Sequence, residues 1–252
     1  MCRSRRHAAV AMFVTLALYV FSRIRRIRSD VPDNESTSSP VTITPLEEAE
    51  LSESARVLGA AFATEAFTTT VFGGTVRQVE NEYKQTIELL LRAHFEAGQP
   101  VFTAKTDGEV VGVAAISRPG VSWAPLRLVW LFTRHPTVLI HLFERMDWEG
   151  IYHIARTIRP PEGLPSAYYR LEAIGVEPAV QGEGVGRALL DTTHALVEHD
   201  PGASGIYLFT GEESLRNLYE RFGYGTVGTK QSNEVVAYHM FRPNERVRRD
   251  DY

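Results

Sequence analysis

The heptapeptide at residues 181–187 reads QGEGVGR, and it joins a run typical of a β-strand, residues 168–176, to a run with helical periodicity, residues 187–198. Its three glycines allow a tight turn and let a ligand approach the backbone closely. The N–H groups that open a helix lack partners within the helix and attract a negatively charged group. The heptapeptide is therefore a candidate phosphate-binding turn between a strand and a helix.

Two common nucleotide-binding motifs do not fit this turn. A P-loop requires lysine and then serine or threonine after its last glycine, whereas Gly186 is followed by Arg187 and Ala188. The dinucleotide pattern G-x-G-x-x-G, counted from Gly184, would place its third glycine at Leu189. The turn therefore belongs to neither motif.

A longer segment around the turn resembles a known family motif. Residues 176–190 read VEPAVQGEGVGRALL, which closely resembles motif A of the GNAT superfamily of acyl-CoA-dependent N-acyltransferases. In that family the pyrophosphate of coenzyme A rests on this loop, and the pantetheine arm pairs with main-chain groups of the preceding strand. The resemblance implies acetyl-CoA as the acyl donor and these cofactor-binding residues: Ile174, Gly175, Val176, Gln181, Gly182, Glu183, Gly184, Val185, Gly186 and Arg187.

A second segment resembles motif B of the same family. It comprises residues 206–210, which read IYLFT, and residues 218–224, which read LYERFGY. Two motifs in the family's order favour this family over a glycine turn that binds no ligand. The segment departs from the common form at Glu212 and Leu215, where an asparagine is often found, and this departure bears on the affinity for the cofactor.

The resemblance covers about residues 41–243 and implies a single α/β GNAT domain. Its mixed central sheet should be splayed at the cofactor site and flanked by helices. Hydrophobic periodicity predicts a strand at 41–44, helices at 47–62 and 76–97, strands at 101–105 and 110–116, and two last β segments at 225–228 and 234–241. The Asp107-Gly108 pair suits a hairpin turn between the two middle strands.

An insertion lies between Arg118 and Ser166, longer than a usual hairpin connection. We expect two or three short helices there that cover the acceptor site. Its aromatic residues either shape a substrate pocket or pack into a core. Its histidines lack metal-ligand spacing, so we predict no metal.

The N-terminal segment differs in composition from the rest of the chain. Residues 1–30 carry seven arginines around an apolar run at 8–21, and residues 31–40 read as a flexible polar linker. The apolar run is shorter than a bilayer span, but extended to residue 24 it is a candidate membrane anchor whose arginine can snorkel. An organelle presequence, an interfacial anchor and a misassigned start codon are open alternatives. A cleaved signal peptide is disfavoured because no A-x-A site follows. We expect a cytoplasmic protein, with or without this anchor, and a short tail at 244–252.

Composition limits the classes of partner. Seven of the 27 basic residues and one of the 31 acidic residues lie in residues 1–30. The rest of the chain therefore has 20 basic and 30 acidic residues. This acidic body argues against nonspecific nucleic-acid binding and mildly favours a cationic acceptor. The one cysteine, Cys2, excludes an intramolecular disulfide, and the body holds no thiol nucleophile.

Acyl transfer to an amine requires a base or a water path that removes a proton, because alkyl ammonium groups have a pKa of about 10.4. Glu172 is the candidate base, since it lies two residues before Ile174 and strand alternation predicts that both face the same side. An ordinary structural carboxylate is the alternative.

Tyr219 occupies the position of the family's tyrosine, four residues before Gly223. The resemblance implies that its hydroxyl donates a proton or a hydrogen bond to the departing thiolate. A tyrosine at this spacing can also simply pack beneath the sheet.

Two hypotheses for function follow from these patterns. The first is an enzyme that transfers an acetyl group from acetyl-CoA directly to an amine of a small molecule or peptide. The second is a noncatalytic, membrane-tethered regulatory module that binds acyl-CoA. Family membership alone does not identify the acceptor.

Overall fold

The structure is a computed structural model that describes residues 40–62, 76–120, 156–232 and 235–246. Within these ranges seven strands form one sheet: β1 Thr42–Pro45, β2 Val101–Thr106, β3 Glu109–Ser117, β4 Tyr169–Val176, β5 Gly205–Thr210, β6 Gly225–Ser232 and β7 Val235–Pro243. The α-helices described are α1 Leu51–Phe62, α2 Val76–Glu96, α3 Val185–Glu198 and α4 Glu213–Arg221. Short 3-10 helices lie at Glu48–Glu50 and Pro178–Val180.

The sheet is mixed and opens at its centre. The strand order is β1-β2-β3-β4-β5-β7-β6, and every neighbouring pair is antiparallel except β4 and β5. The parallel β4–β5 pairing is confined to Tyr169 with Ile206 and Arg170 with Tyr207. From Leu171 onward the two strands separate, which confirms the predicted splayed sheet.

Each face of the sheet carries its own hydrophobic core. The α1/α2 face packs helices α1 and α2 on the sheet through Leu58, Phe62, Ile87, Leu91, Ala173, Tyr207 and Phe209. The α3/α4 face packs helices α3 and α4 through Leu189, Leu215, Tyr219, Leu171, Ile174, Leu208 and Met240. All six residues of β5 are buried, because both of its faces are covered.

Two strand glycines let helices lie directly on the sheet. A Cβ at Gly112 in β3 would lie 2.9 Å from Val185 Cγ1 at the start of α3. A Cβ at Gly175 in β4 would lie 2.8 Å from Leu58 Cδ2 in α1. These approaches fix the two helices against opposite faces near the C-terminal end of β4.

Most predicted elements agree with the structure. The helix expected at 47–62 is a 3-10 turn followed by α1, and the Asp107-Gly108 turn has positive φ at both residues, 53° and 86°. The last two strands are longer than predicted, because β6 and β7 pair along most of their lengths. Residues 121–155 of the insertion in which short helices were predicted, the apolar run at 8–21 with its extension to residue 24, and the tail beyond residue 246 lie outside the described residues. Of the helices that the structure does describe, none has the length and apolar character needed to cross a bilayer.

Two buried histidines tie distant segments together. His239 in β7 has Nε2 3.0 Å from the Thr157 carbonyl oxygen and Nδ1 2.6 Å from the Tyr207 hydroxyl. Since a carbonyl only accepts, Nε2 donates and Nδ1 accepts from the hydroxyl. His194 in α3 has Nε2 3.0 Å from the Tyr224 hydroxyl. Burial lowers the pKa of both imidazoles to about 4.

We expect the free energy of unfolding to fall as the pH falls from about 6.5 to about 4. Both histidines are neutral in the folded protein, and unfolding returns their pKa to about 6.5, so the unfolded state takes up the protons first. Each histidine adds up to about 1.4 kcal/mol per pH unit within this window. Urea unfolding in steps from pH 7 to pH 4 measures the dependence.

Carboxylates also contribute to the pH dependence of the free energy of unfolding, so single histidine variants are needed to measure the contribution of each histidine. His239→Gln and His194→Gln should each flatten the pH dependence of the free energy of unfolding, because each removes one buried imidazole. If either buried-site variant folds and keeps the wild-type slope, that histidine is not the source.

Candidate functional site

The glycine-rich loop adopts a conformation that requires its glycines. Gly182 and Gly184 have φ of 96° and 86°, in the left-handed region. A Cβ at either position would meet no protein atom within 4 Å, so backbone conformation and not crowding demands glycine. Gln181 holds the loop to the end of β4, because its Nε2 donates to the Val176 carbonyl oxygen at 3.0 Å.

Helix α3 begins immediately after the loop and presents its N-terminus there. Gly184 is the N-cap residue, makes no side-chain capping bond, and accepts from the Ala188 N–H at 3.0 Å. The N–H groups of Val185, Gly186 and Arg187 open the helix, where the helix dipole favours an anion. The loop therefore has the geometry of a phosphate site.

The open edge of β4 leads toward this loop. Ile174 and Val176 bury their side chains on the α3/α4 face, and Gly175 lies against α1. The side chains of Ile174 and Val176 thus point to one face of the sheet, and Gly175 has no side chain. At the edge of β4 that β5 does not cover, the exposed groups are main-chain N–H and C=O groups. A flexible arm with amide groups can pair with such an edge as a strand would.

The glycine-rich loop and the open edge of β4 have chemistry that suits the two parts of an acyl-CoA. The loop suits the pyrophosphate, and the edge of β4 suits the amide-containing pantetheine arm. Glu183 lies in the loop with its side chain exposed. The Arg187 side chain is also exposed, with Nε 3.6 Å from Asp191 Oδ2, and adds positive charge beside the loop.

Glu172 does not share a face with Ile174, so that prediction is wrong. On β4, Ala173 pairs with Ala115 but Leu171 pairs with Ile116, which leaves Glu172 as an extra residue in a β-bulge. The bulge reverses the alternation and turns the Glu172 side chain to the α1/α2 face. Sequence alternation could not reveal it, since a bulge depends on the register with the neighbouring strand.

The Glu172 carboxylate is buried beside one cation. Its side chain is 5% exposed, and Oε1 lies 3.5 Å from Arg170 Nε without a hydrogen-bond partner among the described residues. The Glu172 charge raises the pKa of the Arg170 guanidinium. Arg170 in turn lies over the Tyr207 ring, 5.8 Å from its centroid. Glu172 is thus a charge-compensated carboxylate with an oxygen able to accept another hydrogen bond.

Tyr219 lies on the other face of the sheet. It is 1% exposed within the α3/α4 core, and its ring meets Tyr224 edge-on with centroids 5.5 Å apart. This burial is compatible with the packing alternative, and the role of its hydroxyl stays a prediction. Glu172 and Tyr219 therefore lie on opposite faces of the sheet, which is open between β4 and β5.

Residues that sequence reasoning did not identify complete the surroundings of Glu172. Arg170, Tyr207 and His239 belong to three different strands, β4, β5 and β7, and they meet on the α1/α2 face. The two-residue spacing of Arg170 and Glu172 was a usable signal for an ion pair on one strand. Nothing local indicated the other two residues. Among the described residues no group of three or more His, Cys, Asp or Glu side chains is arranged to hold a metal.

Comparison with known proteins agrees with this geometry. The model of the acetyltransferase (GNAT) family matches residues 69–224, more than half of the chain. The protein therefore belongs to the GNAT acetyltransferase family, which uses acetyl-CoA as the acyl donor. A search of curated proteins finds no match.

Solved structures resemble this chain at low sequence identity. A crystal structure described as histone acetyltransferase HPA2 and related acetyltransferase, from Corynebacterium glutamicum, is 20% identical with a TM-score of 0.57, and the match covers 81% of this chain and 96% of that one. A GNAT acetyltransferase from Brucella melitensis solved with acetyl-CoA is 21% identical over 79% of this chain and 96% of its own, with a TM-score of 0.43. At these identities the first likeness supports the fold and nothing finer.

We expect Gly184→Glu to weaken acetyl-CoA binding more than about tenfold, because it adds a negative charge and a strained side chain where the pyrophosphate would rest. Calorimetric titration of acetyl-CoA into the full chain measures the change. Gly98→Glu is the matched control, since Gly98 also has positive φ, 64°, and open space around its Cβ, but lies before β2. Equal affinity in the two variants would contradict a pyrophosphate site at this loop.

Proposed function

We propose that the protein transfers the acetyl group of acetyl-CoA directly to an amine of a small molecule or peptide. The observation that carries this proposal is the gap between β4 and β5. It has the phosphate loop at the C-terminal end of β4 and a buried carboxylate, Glu172, near its closed end. Acetyl-CoA supplies the acetyl group as an activated thioester.

Glu172 is the proposed general base on the acceptor side. Its Oε1, which makes no hydrogen bond with the described residues, is able to accept one from an ammonium group and then remove its proton. The Arg170 guanidinium lies beside the Glu172 carboxylate and compensates its negative charge. The α1/α2 face, where both side chains lie, is therefore the proposed entry side of the amine.

The donor side is assigned to the loop and to Tyr219. The main-chain N–H groups of residues 182–187 would hold the pyrophosphate, and residues 174–176 would pair with the pantetheine arm. The Tyr219 hydroxyl is the proposed proton donor to the departing thiolate. The sole cysteine is Cys2, and the proposed route needs no cysteine acyl-enzyme.

A noncatalytic acyl-CoA-binding module is the second candidate. Two observations favour this module: Tyr219 is buried, and Glu212 and Leu215 occupy positions where the family often has an asparagine. Glu212 is the N-cap residue of α4, but its side chain makes no capping hydrogen bond. The two candidates share the donor site and differ in whether Glu172 removes a proton.

Glu172→Gln should lower kcat about 100-fold or more at neutral pH while the affinity for acetyl-CoA is kept, because an amide cannot take up a proton. The deficit should shrink as the pH approaches the pKa of the amine, where the free amine forms without a base. Release of free thiol over a panel of primary amines measures kcat from pH 6.5 to 10. A deficit that does not change with pH would argue against the base.

Glu198→Gln is the matched control for Glu172→Gln. Glu198 is a partly buried carboxylate paired with Arg242 at 2.7 Å, at the end of α3 and away from the gap. It should keep wild-type kcat. An absence of thiol release with every amine, in a wild-type protein that binds acetyl-CoA, would favour the noncatalytic module.

Tyr219→Phe should lower kcat by about tenfold or more and leave the free energy of unfolding within about 1 kcal/mol, because the ring packing is kept. Thiol release and urea unfolding measure the two quantities on the same preparation. Unchanged kcat would reduce Tyr219 to a packing residue without affecting the assignment of Glu172.

A further inference from the structure

Arg170 and Glu172 lie two residues apart on β4, at the point where the gap between β4 and β5 begins. Arg170 pairs with Tyr207 of β5, and from Leu171 onward the two strands separate. Both side chains lie on the α1/α2 face, and Arg170 Nε is 3.5 Å from Glu172 Oε1. A group that binds the Glu172 carboxylate is therefore directly beside the guanidinium.

The Arg170 guanidinium has N–H donors that its contacts do not use. Its contacts with the described residues are the approach of Nε to Glu172 and the ring of Tyr207, whose centroid lies 5.8 Å from Cζ. Neither contact uses the N–H groups of the two Nη atoms. Since the Arg170 side chain is 31% exposed, these donors are accessible to a ligand.

Aromatic rings hold the guanidinium in a fixed orientation. Arg170 lies over the Tyr207 ring, and the Tyr207 hydroxyl donates to His239 Nδ1 at 2.6 Å. The Tyr168 ring contacts the other side chains of this group, with its centroid 5.6 Å from that of Tyr207 and 6.4 Å from that of Phe241. A guanidinium on an aromatic face presents a planar pair of Nη donors, which matches the two oxygens of a carboxylate.

The charges of Arg170 and Glu172 compensate each other, and this balance restricts the acceptor. An ammonium group alone beside Glu172 would add a net positive charge to a largely buried ion pair, and an uncompensated buried charge costs free energy. An ammonium group that brings its own carboxylate adds no net charge. The pair therefore favours an acceptor that carries both charges.

The short distance between the two protein groups limits the distance between the two acceptor groups. An ammonium that donates to Glu172 Oε1 and a carboxylate that accepts from the Nη groups each lie about 3 Å from their partners. Because Arg170 Nε and Glu172 Oε1 are only 3.5 Å apart, the two acceptor groups must lie close together. An amine and a carboxylate attached to the same carbon atom satisfy this condition.

We propose that Arg170 determines the substrate class, since its Nη groups bind the carboxylate of an α-amino acid while Glu172 binds the α-amine of the same molecule. The proposal rests on the proposed function for the amine and names the substrate of that site. Arg170 is a binding residue and takes no part in proton transfer.

The products are an N-acetyl amino acid and the free thiol of coenzyme A. The α-ammonium group loses one proton to Glu172, and the amine nitrogen attacks the acetyl carbonyl carbon. A carbon–nitrogen bond forms and the carbon–sulfur bond breaks. The nitrogen then loses its second proton as the departing thiolate gains one.

The test compares acceptors that differ only in the group beside the amine. L-Alanine, L-leucine and L-phenylalanine are each assayed beside their amide and beside the amine that lacks the carboxyl group: ethylamine, isopentylamine and 2-phenylethylamine. The proteins are the full-length wild type and Arg170→Lys, which keeps the positive charge but not the planar pair of donors. In the variant, kcat/KM for the acid relative to the matched amine should fall about tenfold or more, mainly through KM for the acid.

Arg216→Lys is the matched control for Arg170→Lys. Arg216 is 27% exposed, pairs with Glu213 at 3.0 Å and lies over the Tyr238 ring, 5.1 Å from its centroid, but it belongs to α4. Its substitution should leave the ratio of acid to matched amine unchanged. Arg170→Lys should also keep the wild-type affinity for acetyl-CoA, and a loss would place Arg170 on the donor side and overturn the proposal.

The amides distinguish a carboxylate from a carbonyl oxygen. The ratio of amide to matched amine should be the same in the wild type and Arg170→Lys, because an amide has no charged pair of oxygens. A fall as large as that of the acid would assign Arg170 to a carbonyl oxygen, such as that of a peptide N-terminus, and overturn the carboxylate.

The outcomes separate this proposal from the proposed function. Transfer with an unchanged ratio of acid to amine in Arg170→Lys, or transfer to the matched amines alone, would overturn the amino-acid specificity while acetyl transfer stands. If no acceptor is acetylated, calorimetric titration of the three amino acids into wild type and Arg170→Lys decides. Binding that the variant weakens about tenfold or more supports the amino-acid site. Absent binding, or equal binding by both proteins, overturns it.

Discussion

The central constraint in this protein is the short pairing between β4 and β5, which joins only two residues of each strand. Each strand is held elsewhere: β4 pairs with β3 along most of its length, and β5 pairs with β7 over all six residues. A Cβ at Gly205 would lie 2.6 Å from the Phe241 ring, so β5 is packed closely on β7. The two halves of the sheet are therefore separately fixed and cannot close the gap.

The gap gives the two faces of the sheet different chemistry. On the α3/α4 side the available groups are main-chain N–H groups and the helix N-terminus, which suit a phosphate and an amide chain. On the α1/α2 side they are the charged side chains of Glu172 and Arg170. A donor and an acceptor that enter from different sides can meet only through the gap.

Particular residues show where sequence reasoning succeeded and where it failed. The left-handed Gly182 and Gly184 and the Asp107-Gly108 turn were predictable, because backbone conformation at such positions depends on residues a few places apart. The face of Glu172 was not, because the bulge arises from the register of β4 on β3.

The sequence by itself determined the order of the elements, the glycine loop ahead of a helix and the family that these define, because each depends on neighbouring residues and on hydrophobic period. Only the tertiary structure decided the length of the β4–β5 pairing and the meeting of Arg170, Tyr207 and His239. It also decided the contacts of Thr157 with β7 and of Pro161 with β6. These features depend on contacts between segments far apart in the chain, and no local pattern encodes their register.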